Sequence, residues 1–230
     1  MIECTVCQEN NSEKYLVCKK CGAYLRDRIP NVDFFKTATL IVESPKKGFE
    51  NIILAEHKNF NILLMIIFGL VLSFTLMISN QVGDKFSNLL ILIFSGMFSG
   101  LLIAILVLPA TAILSIFIAR IVTLKVDFKN ILSVICWSFL PFLLLLTIIV
   151  PTEWILFGLD LYDSLEVVME NFKYIFYLII GLHLITFIWS FVLLIIGFKN
   201  LLTINFQKSF LLAVANYTFI YFITNKLINL

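Results

Sequence analysis

Long apolar stretches alternate with short polar segments along the chain, and this pattern predicts membrane-spanning helices. A helix needs about 20 mostly apolar residues to cross the bilayer core. Five stretches meet or approach this length, at residues 60–78, 89–118, 131–150, 174–196 and 208–228. We expect the second, which is too long, to tilt, to kink at Pro109 or to project beyond the bilayer. The last, interrupted by Asn216, is the weakest. The predicted fold class is an all-α membrane protein, a five-span transmembrane helix bundle.

Residues 31–58, just before the first span, carry apolar side chains at helical spacing. One face collects Phe34, Phe35, Ala38, Ile41 and Val42, and after Ser44-Pro45 a second collects Phe49, Ile52, Ile53 and Glu56. Serine followed by proline is typical of a helix start. The pattern predicts juxtamembrane amphipathic helices, lying either in the lipid headgroup region or against the cytoplasmic ends of the spans.

The segment between the third and fourth spans is acidic and also has helical periodicity. Its apolar positions are Leu161, Leu165, Val168 and Phe172, and its acidic positions are Asp160, Asp163, Glu166 and Glu170. The pattern predicts a short amphipathic helix on the outer membrane surface. Such a helix serves either as a lid or docking surface for a partner or as a connection that packs on the bundle.

Composition and charge support a membrane location. The chain of 230 residues is 60% hydrophobic and 14% charged, whereas soluble domains are about a quarter charged. Fourteen of the seventeen Lys and Arg residues flank the spans on the side of the amino terminus. The positive-inside rule then places the amino terminus in the cytoplasm and the carboxyl terminus outside the cell membrane. This distribution is a topology pattern, so we expect no nucleic-acid partner. We also expect no secretory signal peptide, because the first 30 residues carry cysteines and charges.

The chain opens with two Cys-x-x-Cys pairs in "CTVCQENNSEKYLVCKKCG", which contribute Cys4, Cys7, Cys18 and Cys21. In a reducing compartment such pairs bind metal more often than they form disulfides. Two pairs complete the tetrahedral set of one structural zinc ion, and so small a segment would owe most of its folding free energy to the metal. A redox pair or an iron-sulfur cluster is the alternative. Residues 4–25 resemble the zinc-ribbon module at the amino terminus of many bacterial membrane proteins, departing from it at Gln8, where glycine is usual.

Chemistry inside the membrane has few candidate residues. Residues 60–83, 86–119, 130–152, 174–198 and 209–225 contain no Asp, Glu, Lys or Arg, which argues against a proton-coupled transporter. His183 is the one titratable residue in a span, where we expect it to hydrogen-bond to a neighbouring helix. A hydrolase pairing His183 with Ser95 or Ser99 is the catalytic alternative. Gly96 and Gly100 predict close helix packing, within the chain or between two copies.

Three stretches of the membrane region are "ESPKKGFENI" before the first span, "WSFLPFLLL" in the third, and "FIWSFVLLIIGFKNLLTINFQKSFLLAV" from the fourth onward. In these stretches and in its five-span pattern, the chain resembles the Yip (Ypt/Rab-interacting) domain family in its bacterial form. The resemblance covers roughly residues 34–225. Eukaryotic relatives bind prenylated Rab GTPases, a role that we do not extend to a chain with a bacterial type of ribbon.

Three domains and three functions follow as hypotheses. The domains are a zinc ribbon (1–27), a juxtamembrane segment (28–59) and a membrane domain (60–230).

The leading functional hypothesis is a non-enzymatic subunit or scaffold of a membrane complex. It would bind membrane lipid and either another membrane protein, such as an ABC-type exporter, or a second copy of the chain. The process would be envelope stress or antimicrobial peptide resistance. A channel or a lipid or small-molecule transporter is the second, with a lining drawn from Ser73, Thr75, Thr111, Ser115, Thr147, Thr186, Ser190 and Asn216. An intramembrane hydrolase is the third.

Overall fold

A computed structural model describes residues 2–11, 15, 18–23, 25, 29–121, 126–163 and 165–228. Near the amino terminus, strands β1 (Ile2–Glu3) and β2 (Asn10–Asn11) pair antiparallel, with Ile2 opposite Asn11. The helices follow in chain order: α1 (Phe34–Glu43), α2 (Pro45–Leu54), α3 (Asn61–Ser79), α4 (Leu89–Ile121), α5 (Phe128–Ser138), α6 (Phe142–Leu144), α7 (Val150–Phe157), α8 (Asp160–Asp163), α9 (Leu165–Leu202) and α10 (Phe206–Ile228). A 3₁₀ turn (Gly83–Lys85) precedes α4, and a π-helical turn (Leu145–Ile149) joins α6 to α7.

Three helices in the described part of the chain are long and apolar enough to cross a membrane: α3, α4 and the Phe172–Leu202 part of α9. The bent pair formed by α5 and Phe142–Phe157 makes a fourth if it counts as one span. Helix α10 has 23 residues and packs against α4 and α9, but it is not among the candidate spans in the described part of the chain. The predicted all-α membrane bundle is confirmed, and α10 occupies the place of the fifth predicted span.

The third predicted span is not one straight helix. It bends by 51° between α5 and Phe142–Phe157. Pro141 at the bend has no N–H to donate, and tight turns carry the chain past it, with the Phe139 N–H donating to the Cys136 carbonyl at 3.1 Å. Pro151 then follows the π-helical turn, whose wider spacing accommodates a proline. The helix therefore runs on to Phe157, beyond the predicted end at residue 150.

Aromatic rings fill the inside of this bend. The Phe68 ring of α3 lies 4.2 Å from that of Phe139 and 5.7 Å from that of Phe142, measured between centroids. The Phe187 ring of α9 lies 4.8 Å from that of Phe142, and Tyr217 of α10 lies 5.9 Å from Phe139. Ring contacts of this kind favour one packing arrangement over others, and here they connect four helical segments at the bend.

The acidic segment after the bend forms shorter pieces than the single helix predicted for it. Its residues complete α7, form α8 and begin α9, which has a non-helical backbone at Phe172 (φ −133°). The predicted alternation is present in part: Leu161 and Val168 are buried and Asp160 and Glu166 are exposed, but Phe172, predicted for the apolar face, is exposed. The Leu165 side chain lies outside the described residues. The buried positions show that this segment packs on the bundle.

Helices α1 and α2 pack against the membrane helices. Phe49 and Ile52 of α2 are fully buried, and α2 contacts both α5 and α9. Pro45 begins α2 as predicted, although the Ser44 side chain makes no capping hydrogen bond. The predicted apolar face of α1 is only partly covered, since Ile41 is buried but Phe35 and Val42 are exposed. Packing on the ends of the spans is therefore observed, with an apolar edge of α1 left uncovered.

Small residues bring α3 and α4 into close contact. A Cβ atom added to Gly69 would lie 2.2 Å from the Gly100 carbonyl oxygen, and one added to Gly96 would lie 2.3 Å from the Phe74 ring. The Ser73 and Ser99 hydroxyls are hydrogen-bonded across the same contact at 2.6 Å. The predicted packing role of Gly96 and Gly100 is confirmed within one chain.

We expect Gly69→Ala to destabilise the bundle by about 1 to 3 kcal/mol, because the added methyl collides with backbone and forces α3 and α4 apart. Gly181→Ala is the matched control, since a Cβ there meets nothing within 4 Å. The thermal unfolding midpoint of the purified variants in one detergent measures the effect. Equal midpoints for the two variants would contradict the close contact.

Candidate metal centre and a buried glutamate–histidine pair

The four predicted ligands lie on two turns with the same backbone hydrogen bonds. In the first turn the Gln8 N–H donates to the Cys4 carbonyl at 2.9 Å, and in the second the Gly22 N–H donates to the Cys18 carbonyl at 3.0 Å. The residue after each Cys-x-x-Cys pair has a positive φ, 57° at Gln8 and 73° at Gly22. Gln8 therefore adopts the conformation that glycine takes in the second turn, although a side chain is disfavoured there.

The turns bring all four sulfur atoms together. Cys4 Sγ lies 3.6 Å from Cys21 Sγ, Cys7 Sγ lies 3.4 Å from Cys18 Sγ, and all four lie within 4.8 Å of one another. Sulfur atoms about 2.3 Å from a central ion at tetrahedral angles are about 3.8 Å apart. The residues present therefore fit one metal ion, and Cys4, Cys7, Cys18 and Cys21 can hold it.

Backbone donors make two of these thiols acidic. The N–H groups of Cys21 and Lys20 lower the pKa of the Cys18 thiol to about 6, against the opposing effect of desolvation. The N–H group of Cys7 lowers the pKa of the Cys4 thiol in the same way. At Cys7 the N–H of Glu9 is outweighed by burial and by the other three sulfurs, which raise the pKa to about 12. The neighbouring sulfurs therefore disfavour further negative charge at Cys7, and a bound cation would remove that penalty.

Asn11 supports this set, a role that the sequence did not reveal. It is buried, its Nδ2 donates to Cys18 Sγ at 3.4 Å and to the Glu9 carbonyl at 2.8 Å, and its Oδ1 accepts from the Lys19 N–H at 3.1 Å. Partners of this type orient metal ligands. The sequence "ENNS" has adjacent polar residues of similar character, so only the pairing of β1 with β2 distinguishes Asn11.

A second polar site lies at the other end of the bundle. Glu153 of α7 is 2% exposed, and its Oε1 lies 2.9 Å from Nε2 of His183 on α9. The prediction that His183 hydrogen-bonds to a neighbouring helix is thus correct. The predicted end of the third span at residue 150 leaves Glu153 outside the span, so the sequence did not reveal this pair. The sequence pattern that could have revealed Glu153 is an acidic residue directly after an apolar run that contains proline.

The serine and histidine proposed for a hydrolase are engaged with different partners. Ser99 Oγ is bonded to Ser73 and donates to the Ser95 carbonyl at 2.9 Å, on the side of α4 that packs against α3. His183 pairs with Glu153 instead. The described contacts therefore do not assemble the arrangement of Ser95, Ser99 and His183.

Most polar residues suggested for a channel lining connect helices or bond to their own helix. Ser115 Oγ donates to Asn216 Oδ1 at 2.9 Å, which joins α4 to α10, and Ser190 Oγ donates to the Ser138 carbonyl at 2.8 Å, which joins α9 to α5. Thr75 donates to the Val71 carbonyl of its own helix at 2.8 Å and also borders the cavity beside Glu153. Hydrogen bonds between helices are a common means of association inside membranes.

Comparison with known proteins identifies the membrane region. A family model described as the Yip1 domain matches residues 39–224, from α1 into α10. No curated protein and no solved structure gives a significant match.

Substitutions at Gln8 and Gly22, the positive-φ residues of the two turns, should change metal affinity in opposite directions, because folding of the turns is coupled to metal binding. We expect Gln8→Gly to tighten binding by about threefold and Gly22→Ala to weaken it by about fivefold, as the conformation favours glycine. Competition with a chelator of known affinity measures both. Gly158→Ala, at a positive φ outside the module, is the control and should leave affinity unchanged. Equal affinities for all variants would contradict the role of the turns.

Proposed function

Because the chain belongs to the Yip1 domain family of membrane proteins, we propose that it is a non-enzymatic, multi-pass subunit or scaffold of a membrane complex. Its membrane domain recognises other membrane components, and its amino-terminal module contributes a docking surface. The partner class is an integral membrane protein such as an ABC-type exporter, acting in envelope stress or antimicrobial peptide resistance, or a second copy of the chain.

One observation carries the proposal: the four cysteines converge as a complete ligand set. Four thiolates leave no coordination position for a substrate, so a metal held by them shapes the chain and performs no reaction. A module of this size held by one ion has little core of its own and presents most of its surface. Val6 is 70% exposed there, and Tyr15 is 40% exposed with Lys19 Nζ 4.3 Å from its ring centre. Such a surface suits contact with another protein.

Zinc is the metal that the donor set favours. Four thiolates in tetrahedral geometry are typical of structural zinc sites, and the shortest sulfur separations, 3.4 and 3.6 Å, need only a small expansion to reach about 3.8 Å. The proposed role of the ion is structural, with one ion in each chain.

The proposed location is the cell membrane of a bacterium, with the amino terminus cytoplasmic and the carboxyl terminus outside. The unequal distribution of Lys and Arg supports this orientation, and it places the module in a reducing compartment, where thiols remain available to metal. A Rab GTPase is not part of the proposal.

Purified protein should contain about one equivalent of zinc, because four thiolates form one closed site. Elemental analysis of the full chain measures this. Cys4→Ser combined with Cys7→Ser should abolish it, while Cys136→Ala should not, since Cys136 is a buried core residue of α5. A metal-free wild-type protein with intact thiols, or iron in place of zinc, would overturn the assignment.

Purification in mild detergent followed by mass spectrometry tests the partner. The wild-type chain and Cys136→Ala should each recover the same membrane protein in stoichiometric amount, and the Cys4→Ser/Cys7→Ser variant should recover about tenfold less if the module supplies the central contacts. Recovery of the wild-type chain alone would count against the proposal. Equal recovery with the double variant would locate the contact in the membrane domain and remove the role given to the module.

A further inference from the structure

A cavity of about 260 Å³ lies between α3, α7, α8 and α9. Its walls are mainly apolar and include Ile78, Leu161, Phe176 and Phe187. Leu184 of α9, which also lines the cavity, is 57% exposed at the surface of the protein. Because α9 contains a membrane-spanning segment, the cavity is accessible from the side that faces lipid.

The Glu153–His183 pair lies in the cavity wall, together with the hydroxyl side chains of Thr75 and Ser79. Glu153 Oε1 is bonded to His183 at 2.9 Å, whereas Glu153 Oε2 is buried without a hydrogen-bond partner among the described residues. A buried oxygen that lacks a donor is costly, and most such groups in proteins are satisfied. The unpaired Oε2 thus leaves a place for a further donor, which a molecule bound in the adjoining cavity can supply.

We propose that this cavity binds a single-chain amphiphile whose head group donates a hydrogen bond to Glu153 Oε2. At about 30 Å³ for each water-sized group, the cavity holds roughly nine methylene-sized groups, which is a short hydrocarbon chain or one segment of a longer chain. A protonated amine and a hydroxyl both supply the donor. A carboxylate head group is disfavoured, because its oxygens accept hydrogen bonds and would leave Glu153 Oε2 without a donor.

The position of the cavity supports a lipid-derived ligand over a water-soluble one. Apolar walls such as Ile179 and Ile180 favour a hydrocarbon chain, and access through the lipid-facing side of α9 delivers such a molecule from the bilayer. A few placed polar groups in an apolar pocket are the usual arrangement of a small-molecule site. The site is independent of the cysteine module and of any partner that the module contacts.

Photoaffinity labelling of the full chain in phosphatidylcholine nanodiscs tests the proposal. The probe is a ten-carbon alkylamine with a diazirine at the end of its chain, and labelled peptides are identified by mass spectrometry. We expect saturable labelling of peptides from α3 and α9. Decylamine, decanol or both should compete with the probe, while decanoate and decane should not. Competition by the amine alone identifies an ammonium head group, and equal competition by the alcohol identifies a hydroxyl.

Two variants and a control separate the site from general lipid contact. Glu153→Gln removes the carboxylate and should lower probe affinity by about tenfold. Leu184→Trp fills the opening without altering the polar pair and should lower labelling by about the same factor. Ile185→Trp is the control, since Ile185 is 65% exposed and is not part of the cavity wall; labelling should be unchanged. If Glu153→Gln does not fold, Leu184→Trp and its control carry the test.

Labelling that is spread over the exposed face of α4, does not saturate, or is competed equally by decanoate would overturn the proposal. Full labelling of Leu184→Trp would do the same. Neither result bears on the partner proposal, which the cysteine variants test separately.

Discussion

The bundle depends on the close approach of α3 and α4. In lipid the apolar side chains of two helices gain little by leaving their surroundings, so association relies on packing and on hydrogen bonds between helices. Gly69 and Gly100 remove the side chains that would separate the two backbones, and Ser73 and Ser99 bond across the contact. With these two helices fixed, Phe68 on α3 presents its ring to the bend after α5, and α10 closes against α4 through Ser115 and Asn216.

The course of the third span beyond its bend determines where Glu153 lies. Two prolines, Pro141 and Pro151, interrupt the third span, yet a π-helical turn between them lets the helix continue. Because it continues, Glu153 is carried into the bundle and not out into a loop. There it meets His183, thirty residues later in the chain, in an environment where an ionisable side chain is costly and is often functional. The two polar sites of the protein, the cysteine module and this pair, are thus separate in position and chemistry.

The helix positions were largely predictable, because apolar length and periodicity are local properties of the sequence. The starts of α3 and α4 agree with prediction to within one residue, and Pro45 marks the start of α2. The packing of α1 could not be predicted as well. Its apolar residues cover more of the helix than the bundle can bury, so Ile41 is enclosed while Phe35 is exposed. Periodicity shows which face is apolar but not how much of that face a neighbour covers.

The sequence by itself determined the membrane class, the order of the helices and the four cysteines of the module, since hydropathy and ligand spacing are written in adjacent residues. The family followed from the same apolar patterns, which the Yip1 domain match confirms. Tertiary structure alone decided that Asn11, among similar neighbours, supports Cys18, and that Glu153 faces His183 beside a cavity. Both depend on contacts between segments that are distant in sequence, where burial is set by the shape of the fold and not by the residues nearby.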